Sequence, residues 1–211
     1  HGRSDGDSFA SLPRFAEDLE HAVLWLKARP EVDPQRVGVV GHSVGAGAAL
    51  LAASRSPGLA AVVSLAAFAH PAEMMRRRPA WRGIGHRFDD SAPCNTIRQA
   101  RCPVLLAHGT EDATVPPGDA ERIYANRQDE RVSLFLMPGS HDDYGELTQA
   151  MAAMTGFLNA ATAAVSLLKN APARGARSAA RKGVIDNKKE NSRMSQENTW
   201  SNRYRDAGEA Y

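Results

Sequence analysis

Cysteine is scarce in this sequence. Cys94 and Cys102 are the only two in 211 residues, and nothing around them resembles a C-x-x-C pair or a zinc-ligand spacing. They read as two buried or idle thiols. Long apolar runs are missing as well, so no segment is suited to crossing a bilayer as a helix. No secretory leader pattern opens the chain. None of the seven histidines pairs with another at metal-ligand spacing, and no phosphate-binding glycine motif occurs. The expectation is therefore a protein without metal or cofactor, in a cytoplasmic setting.

An excess of one charge is lacking too, except at one end. The chain holds 26 Lys or Arg against 24 Asp or Glu, a net +2. Residues 166–211 hold ten of the former and five of the latter, a balance of +5, which leaves −3 for residues 1–165. The basic character belongs to the tail, so no nucleic-acid partner is expected for the folded body. Past residue 170 no sustained apolar pattern remains, and such a stretch cannot bury enough surface to offset its ordering entropy. Two regions are expected: a folded domain over 1–165 and a basic, mostly disordered tail over 166–211.

What is present is alternation. With 43 % apolar residues a core of real size is possible. Phe15, Leu19, Ala22, Val23 and Leu26 share a helical face, with Pro13 in the first turn and Pro30 and Pro34 beyond the end. Arg36–Gly41 is a short apolar run that suits a strand buried on both faces. An Ala-rich helix from Val44 to Ala53 follows. Ala60–Leu65, Cys102–Ala107 and Val132–Met137 read as further strands, and Pro117–Arg127 and Tyr144–Val165 as further helices. Residues 68–101 are less regular. Strands alternating with helices predict an α/β fold, a mostly parallel sheet covered on both faces.

One constellation carries chemistry. Gly41-His42-Ser43-Val44-Gly45 has the form G-x-S-x-G and sits where a buried strand ends and a helix begins. Such a turn is tight, and glycines at 41 and 45 are expected to relieve crowding around Ser43. The helix aims its N-terminal amides at the same place, and the backbone N–H of Val44 is the candidate oxyanion donor. A serine hydroxyl needs a base. His141 follows the strand 132–137, and Asp112 follows the strand 102–107 as the candidate orienter. Nucleophile, acid and base thus each follow a different parallel strand, in the order Ser, Asp, His. The chemistry this implies is hydrolysis through an acyl-enzyme.

These residues resemble the α/β-hydrolase superfamily over about residues 1–160. His108-Gly109-Thr110-Glu111-Asp112-Ala113-Thr114-Val115-Pro116 is similar to its acid segment and Gly139-Ser140-His141-Asp142 to its histidine segment. Trp25-Leu26 and Asp33 to Gly38 resemble the approach to the elbow in dienelactone-hydrolase-like and prolyl-oligopeptidase-like members. The resemblance implies a serine hydrolase acting on a small-molecule ester, less readily on a peptide or amide. Ala46 departs from the family, where a second glycine is common. His1 to Gly6 resembles the loop after the fourth strand, so the earlier strands and the second oxyanion donor are expected to be missing from this sequence. The strand 36–40 would then be an apolar edge. The alternative, that His1-Gly2 is itself the oxyanion loop, is disfavoured because a helix leads directly from it to the elbow strand.

The remaining candidates have plainer readings. Glu111 reads as a solvated loop charge, and Asp142 and Asp143 as a helix N-terminal pair, although either could replace Asp112 as orienter. His42 is expected to pack or hydrogen-bond locally, His21 to lie on the surface, and Arg76-Arg77-Arg78 to be a solvated helix end. His70 and His86 could line a pocket. Two other classes stay open at this point. One is an incomplete, inactive hydrolase segment. The other is a binding protein that uses its basic tail on nucleic acid or acidic membranes.

Overall fold

In the computed structural model, residues 11–77, 91–145 and 147–170 are described. The tail expected from 166 lies for the most part outside them, as do His86, Arg78 and the opening segment 1–10. The elements run α1 (Leu12–Lys27), β1 (Val39–His42), α2 (Val44–Arg55), β2 (Val62–Leu65), α3 (Pro71–Arg77), α4 (Pro93–Thr96), β3 (Val104–Gly109), α5 (Gly118–Ala125), β4 (Val132–Met137) and α6 (Leu147–Asn170). A 3-10 turn, Ile97–Gln99, follows α4. Among the described residues the four strands form one parallel sheet in the order β1-β2-β3-β4. The α/β alternation expected from sequence is the one observed.

Period-two alternation splits the sheet's side chains between two layers. Val62, Val104, Leu106 and Val132 pack with α2 and with Ile97 and Ile123. Val63, Leu65, Leu105, Ala107 and Met137 pack on the other face with Ala150 and Met154 of α6. The helix α2 is buried at nine consecutive positions, Ala46 to Ser54, because it lies between the sheet and α1. A helix enclosed on all sides needs small side chains, which is why this one is rich in alanine. At its start, α1 is capped by Ser11, whose Oγ accepts from the Arg14 N–H.

Two expectations about burial are corrected. The strand 36–41 is not buried on both faces. β1 is the edge of the described sheet, its burial alternates, and Val40 is 56 % exposed. Val40 lies beside Val63 on the α6 face, and α6 covers β2 but leaves the edge strand open. The packed face of α1 is Leu12, Phe15, Ala16, Leu19 and Val23. Ala22 and Leu26 fall outside it, and Leu24 and Trp25 are exposed. The helix packs on α2 through that packed face, and Lys27 in its last turn donates to the Gly58 carbonyl at 2.6 Å.

The arginine run is also not simply solvated. Arg77 forks onto the Asp119 carboxylate of α5 at 3.0 and 3.1 Å, and the Ala69 N–H donates to the same group at 3.2 Å. Asp119 is only 2 % exposed. Arg122 forks onto Glu73 of α3 at 2.6 and 3.0 Å. The two pairs tie α3 to α5 in opposite directions. Arg77→Met leaves the buried Asp119 carboxylate short of its main donors and is expected to cost about 2 kcal/mol or more in a denaturant titration. The hydrogen bond from Arg122 lowers the Glu73 pKa from 4.5 to about 2. A carboxylate depressed on folding contributes stability above its unfolded pKa and loses it as pH falls through the folded value. The stability difference between wild type and Glu73→Gln is therefore expected in full above about pH 5 and gone by about pH 2.

Candidate active site

Ser43, the residue between β1 and α2, takes φ 55° and ψ −114°, a backbone conformation that L residues rarely adopt. Its N–H still donates to the Leu65 carbonyl at 2.9 Å, extending the strand pairing by one residue. The chain then reverses at once into α2, whose first residue is Val44. A Cβ on Gly41 would stand 2.2 Å from the Gly45 carbonyl oxygen, so glycine is obligatory there. A Cβ on Gly45 would meet nothing within 4 Å among the described residues. Crowding at the elbow is thus relieved by Gly41 alone, and the symmetrical role expected for Gly45 is corrected.

Strands lie about 4.8 Å apart, so β4 stands roughly 14 Å from β1, across β2 and β3. The segment after β4 must fold back over the sheet edge to bring His141 near Ser43. Two glycines allow this. Gly139 has φ +134°, and its Cβ would stand 2.5 Å from the Asp143 carbonyl oxygen. A Cβ on Gly109 would stand 2.4 Å from the Gly139 carbonyl oxygen. Across that close approach the Thr110 and Glu111 N–H groups donate to Met137 and Gly139, each at 2.9 Å.

The result is a continuous chain of hydrogen bonds. The Ser43 hydroxyl donates to His141 Nε2 at 3.0 Å, and His141 Nδ1–H donates to Asp112 Oδ2 at 2.7 Å. The other carboxylate oxygen, Oδ1, accepts the N–H groups of Thr114 at 2.8 Å and Val115 at 2.7 Å. Asp112 and His141 are buried, while Ser43 is half-buried. The carboxylate accepts from both sides, so the imidazole proton stays on Nδ1 and Nε2 is left to accept from the hydroxyl.

His42 does not bond locally, contrary to expectation. Its Nε2–H donates to the His141 carbonyl at 2.9 Å, 99 residues away, and the Tyr144 hydroxyl donates to the same oxygen at 2.8 Å. Both lone pairs of that carbonyl are used, which fixes the backbone that carries the imidazole. Burial, then the negative charges of Asp112 and Asp142, push the Tyr144 phenol up to about 12, so it stays a donor. Sequence spacing offered no sign of these two side chains, because the contacts exist only once β1 and β4 face one rim. His42, His141 and Asp142 each bring one possible ligand atom within 4.8 Å of the others. Both ring nitrogens of His141 and the Nε2 of His42 are already engaged in hydrogen bonds, so the geometry serves the Ser43–His141–Asp112 chain rather than an ion.

The other candidates fall elsewhere. Asp142 and Asp143 are exposed, precede α6 by several residues rather than standing in its first turn, and leave the His141 Nδ1 position to Asp112. Glu111 and His21 are exposed. His70 lies at the start of α3 near Glu73. Cys94 and Cys102 are buried free thiols, each with its pKa raised by burial, and Cys102 reaches about 11.

A parallel sheet, a Gly-x-Ser-x-Gly turn at the carboxyl end of one strand, and an Asp and a His arriving from two others define the α/β-hydrolase class. Within it, the chain belongs to the Dienelactone hydrolase family, which it matches over residues 10–139. The uncharacterized protein YfhR of Salmonella typhi is 26 % identical over 155 residues, covering 67 % of this chain and 52 % of that protein. This chain therefore spans about half the length of that curated relative. Among solved structures, a puromycin-hydrolyzing peptidase of Mycobacterium tuberculosis superposes with a TM-score of 0.63 at 21 % identity, over 70 % of this chain and 25 % of that one. The esterase domain of a Rhodothermus marinus protein superposes with a TM-score of 0.55 at 24 % identity, over 69 % and 67 % respectively.

The two elbow glycines are expected to separate in a thermal melt. Gly41→Ala forces the α2 backbone away and is expected to destabilise by about 1–3 kcal/mol. Gly45→Ala meets open space in a helical position and is expected to be neutral or to stabilise by up to about 1 kcal/mol.

Proposed function

We propose that this chain carries the reacting groups of a serine hydrolase that cleaves carboxylic esters through an acyl-enzyme. The observation that supports this best is the unbroken chain from the Ser43 hydroxyl through His141 to the buried Asp112 carboxylate. Ser43 Oγ attacks the ester carbonyl while His141 Nε2 takes its proton. The oxyanion that forms lies at the N-terminus of α2, where the Val44 N–H supplies one donor and the helix dipole favours negative charge. His141 then gives the proton to the departing alcohol. Water enters and attacks the acyl carbon as it loses a proton to His141, and His141 returns that proton to Ser43 Oγ as the Oγ–acyl bond breaks and the acid leaves. Throughout, Asp112 keeps the imidazole in one tautomer and stabilises its charged form. An ester substrate is favoured over an amide because the alcohol is the better leaving group.

The test is hydrolysis of p-nitrophenyl acetate by purified protein. Ser43→Ala and His141→Gln are each expected to lower kcat by at least about 10³-fold, and Asp112→Asn by about the same order. A fluorophosphonate probe is expected to add one covalent label, located on Ser43 by peptide mass spectrometry. Undiminished ester cleavage by Ser43→Ala would refute the mechanism.

A further inference from the structure

We infer that His108 is a positioning residue for Asp112, one that closes the acid loop around the carboxylate and keeps Oδ2 turned toward His141. The inference rests on the proposed role of the Ser43–His141–Asp112 chain.

His108 lies in β3, among Val104, Leu105, Leu106 and Ala107, and is wholly buried. Among the described residues its Nδ1 has no hydrogen-bond partner. An unpaired ring nitrogen in such a place is destabilising, and an apolar side chain of similar size would avoid the penalty. The reason for an imidazole must lie in its other nitrogen. Nε2 stands 2.8 Å from the Val115 carbonyl oxygen and 3.3 Å from Asp112 Oδ2. Both neighbours are acceptors, so Nε2 carries the proton.

The arrangement is a closed loop. Val115 donates its N–H to Asp112 Oδ1 and receives the His108 proton on its carbonyl. Residues 112–115 are thereby held against β3 at both polar groups of one residue. The nearby Nε2–H also gives Oδ2 a second positive neighbour besides His141 Nδ1. Without His108 the 112–115 turn loses its tie to the strand, and the carboxylate gains freedom to rotate about its Cβ–Cγ bond. Among the described residues the polar contacts of His108 are to Val115 and Asp112, not to Ser43 or His141. It acts through Asp112.

Three substitutions separate this role from simple packing. Glutamine can place an amide N–H where Nε2 stands. Asparagine is shorter and its amide falls short of Val115. Leucine fills the space with no donor. With p-nitrophenyl acetate, His108→Gln is expected to keep kcat within about twofold of wild type, and His108→Leu and His108→Asn to lower it about tenfold with KM unchanged. The downfield proton resonance of the His141 Nδ1–H is expected to persist in His108→Gln and to broaden or vanish in the other two. In the unmodified protein, nitrogen-15 shifts should show His108 protonated at Nε2 and bare at Nδ1. Wild-type kcat and an unchanged downfield resonance in His108→Leu would overturn the inference. So would a glutamine variant no better than the asparagine one, or a His108 proton found on Nδ1. If leucine blocks folding, the glutamine–asparagine pair and the nitrogen-15 spectrum decide the matter. Ser43→Ala is the control for the underlying mechanism. If it stays active, the serine reading falls, while the resonances still report whether His108 holds the Asp112–His141 pair.

Discussion

A carboxylate with almost no access to water stands at the centre of this structure, and its burial dictates much of what surrounds it. Asp112 is 3 % exposed. A buried charge left unpaired is costly by several kcal/mol, so every direction around it has to be satisfied. Two backbone N–H groups of its own turn serve one oxygen, and two histidine side chains face the other. That requirement recruits β4 as well as β3, because His141 arrives from the loop after β4. The close backbone approach at Gly109 and Gly139, and the hydrogen bonds from Thr110 and Glu111 that bridge it, follow from bringing the two loops together.

Ser43 is held by a different device. Its place depends on backbone strain, with a positive φ maintained by strand pairing on one side and a fully enclosed helix on the other. Strain of this kind persists only where the surroundings over-determine it. Here the surroundings are the alanine-rich packing of α2 against sheet and α1, and the bare Gly41 that lets the turn close. Ala66, at the end of the neighbouring β2, has φ 55° as well. Two adjacent strands thus finish in unusual conformations at the rim where the hydroxyl emerges. The elbow and the carboxylate cluster are joined by His141, whose ring bonds to both and whose carbonyl is held by His42 and Tyr144.

The packing is uneven across the sheet. β2 and β3 are buried throughout, and the site draws its rigidity from them. β1 leads into Ser43 but lies at the edge of the described sheet, with Val40 exposed. Ser43 therefore follows the least covered strand, while Asp112, which bonds the His141 ring, follows a strand buried throughout.

Sequence alone determined the alternation of strands and helices, the strand-to-helix turn at Ser43 and the assignment of Asp112 and His141 to the ends of other strands. Those features are local: apolar runs of strand length, an alanine-rich helix, and glycines next to a serine all act within a few residues of chain. The tertiary structure decided everything that depends on which loops meet. His42 looked like a local elbow residue and proves to grip a carbonyl 99 residues away. His108 looked like part of a motif and proves to be a buried donor beside the carboxylate. Gly45 looked equivalent to Gly41 and faces open space, while Gly109 and Gly139, read only as members of two motif segments, prove to be the points where two backbones touch. The strand of Val40 read both as buried on two faces and, by the family resemblance, as an apolar edge, and it is the edge of the described sheet. The physical reason is the same in each case. Hydrogen bonding and close packing are decided by distances across the sheet, and a linear pattern encodes which residues are apolar, polar or small without encoding what stands opposite them.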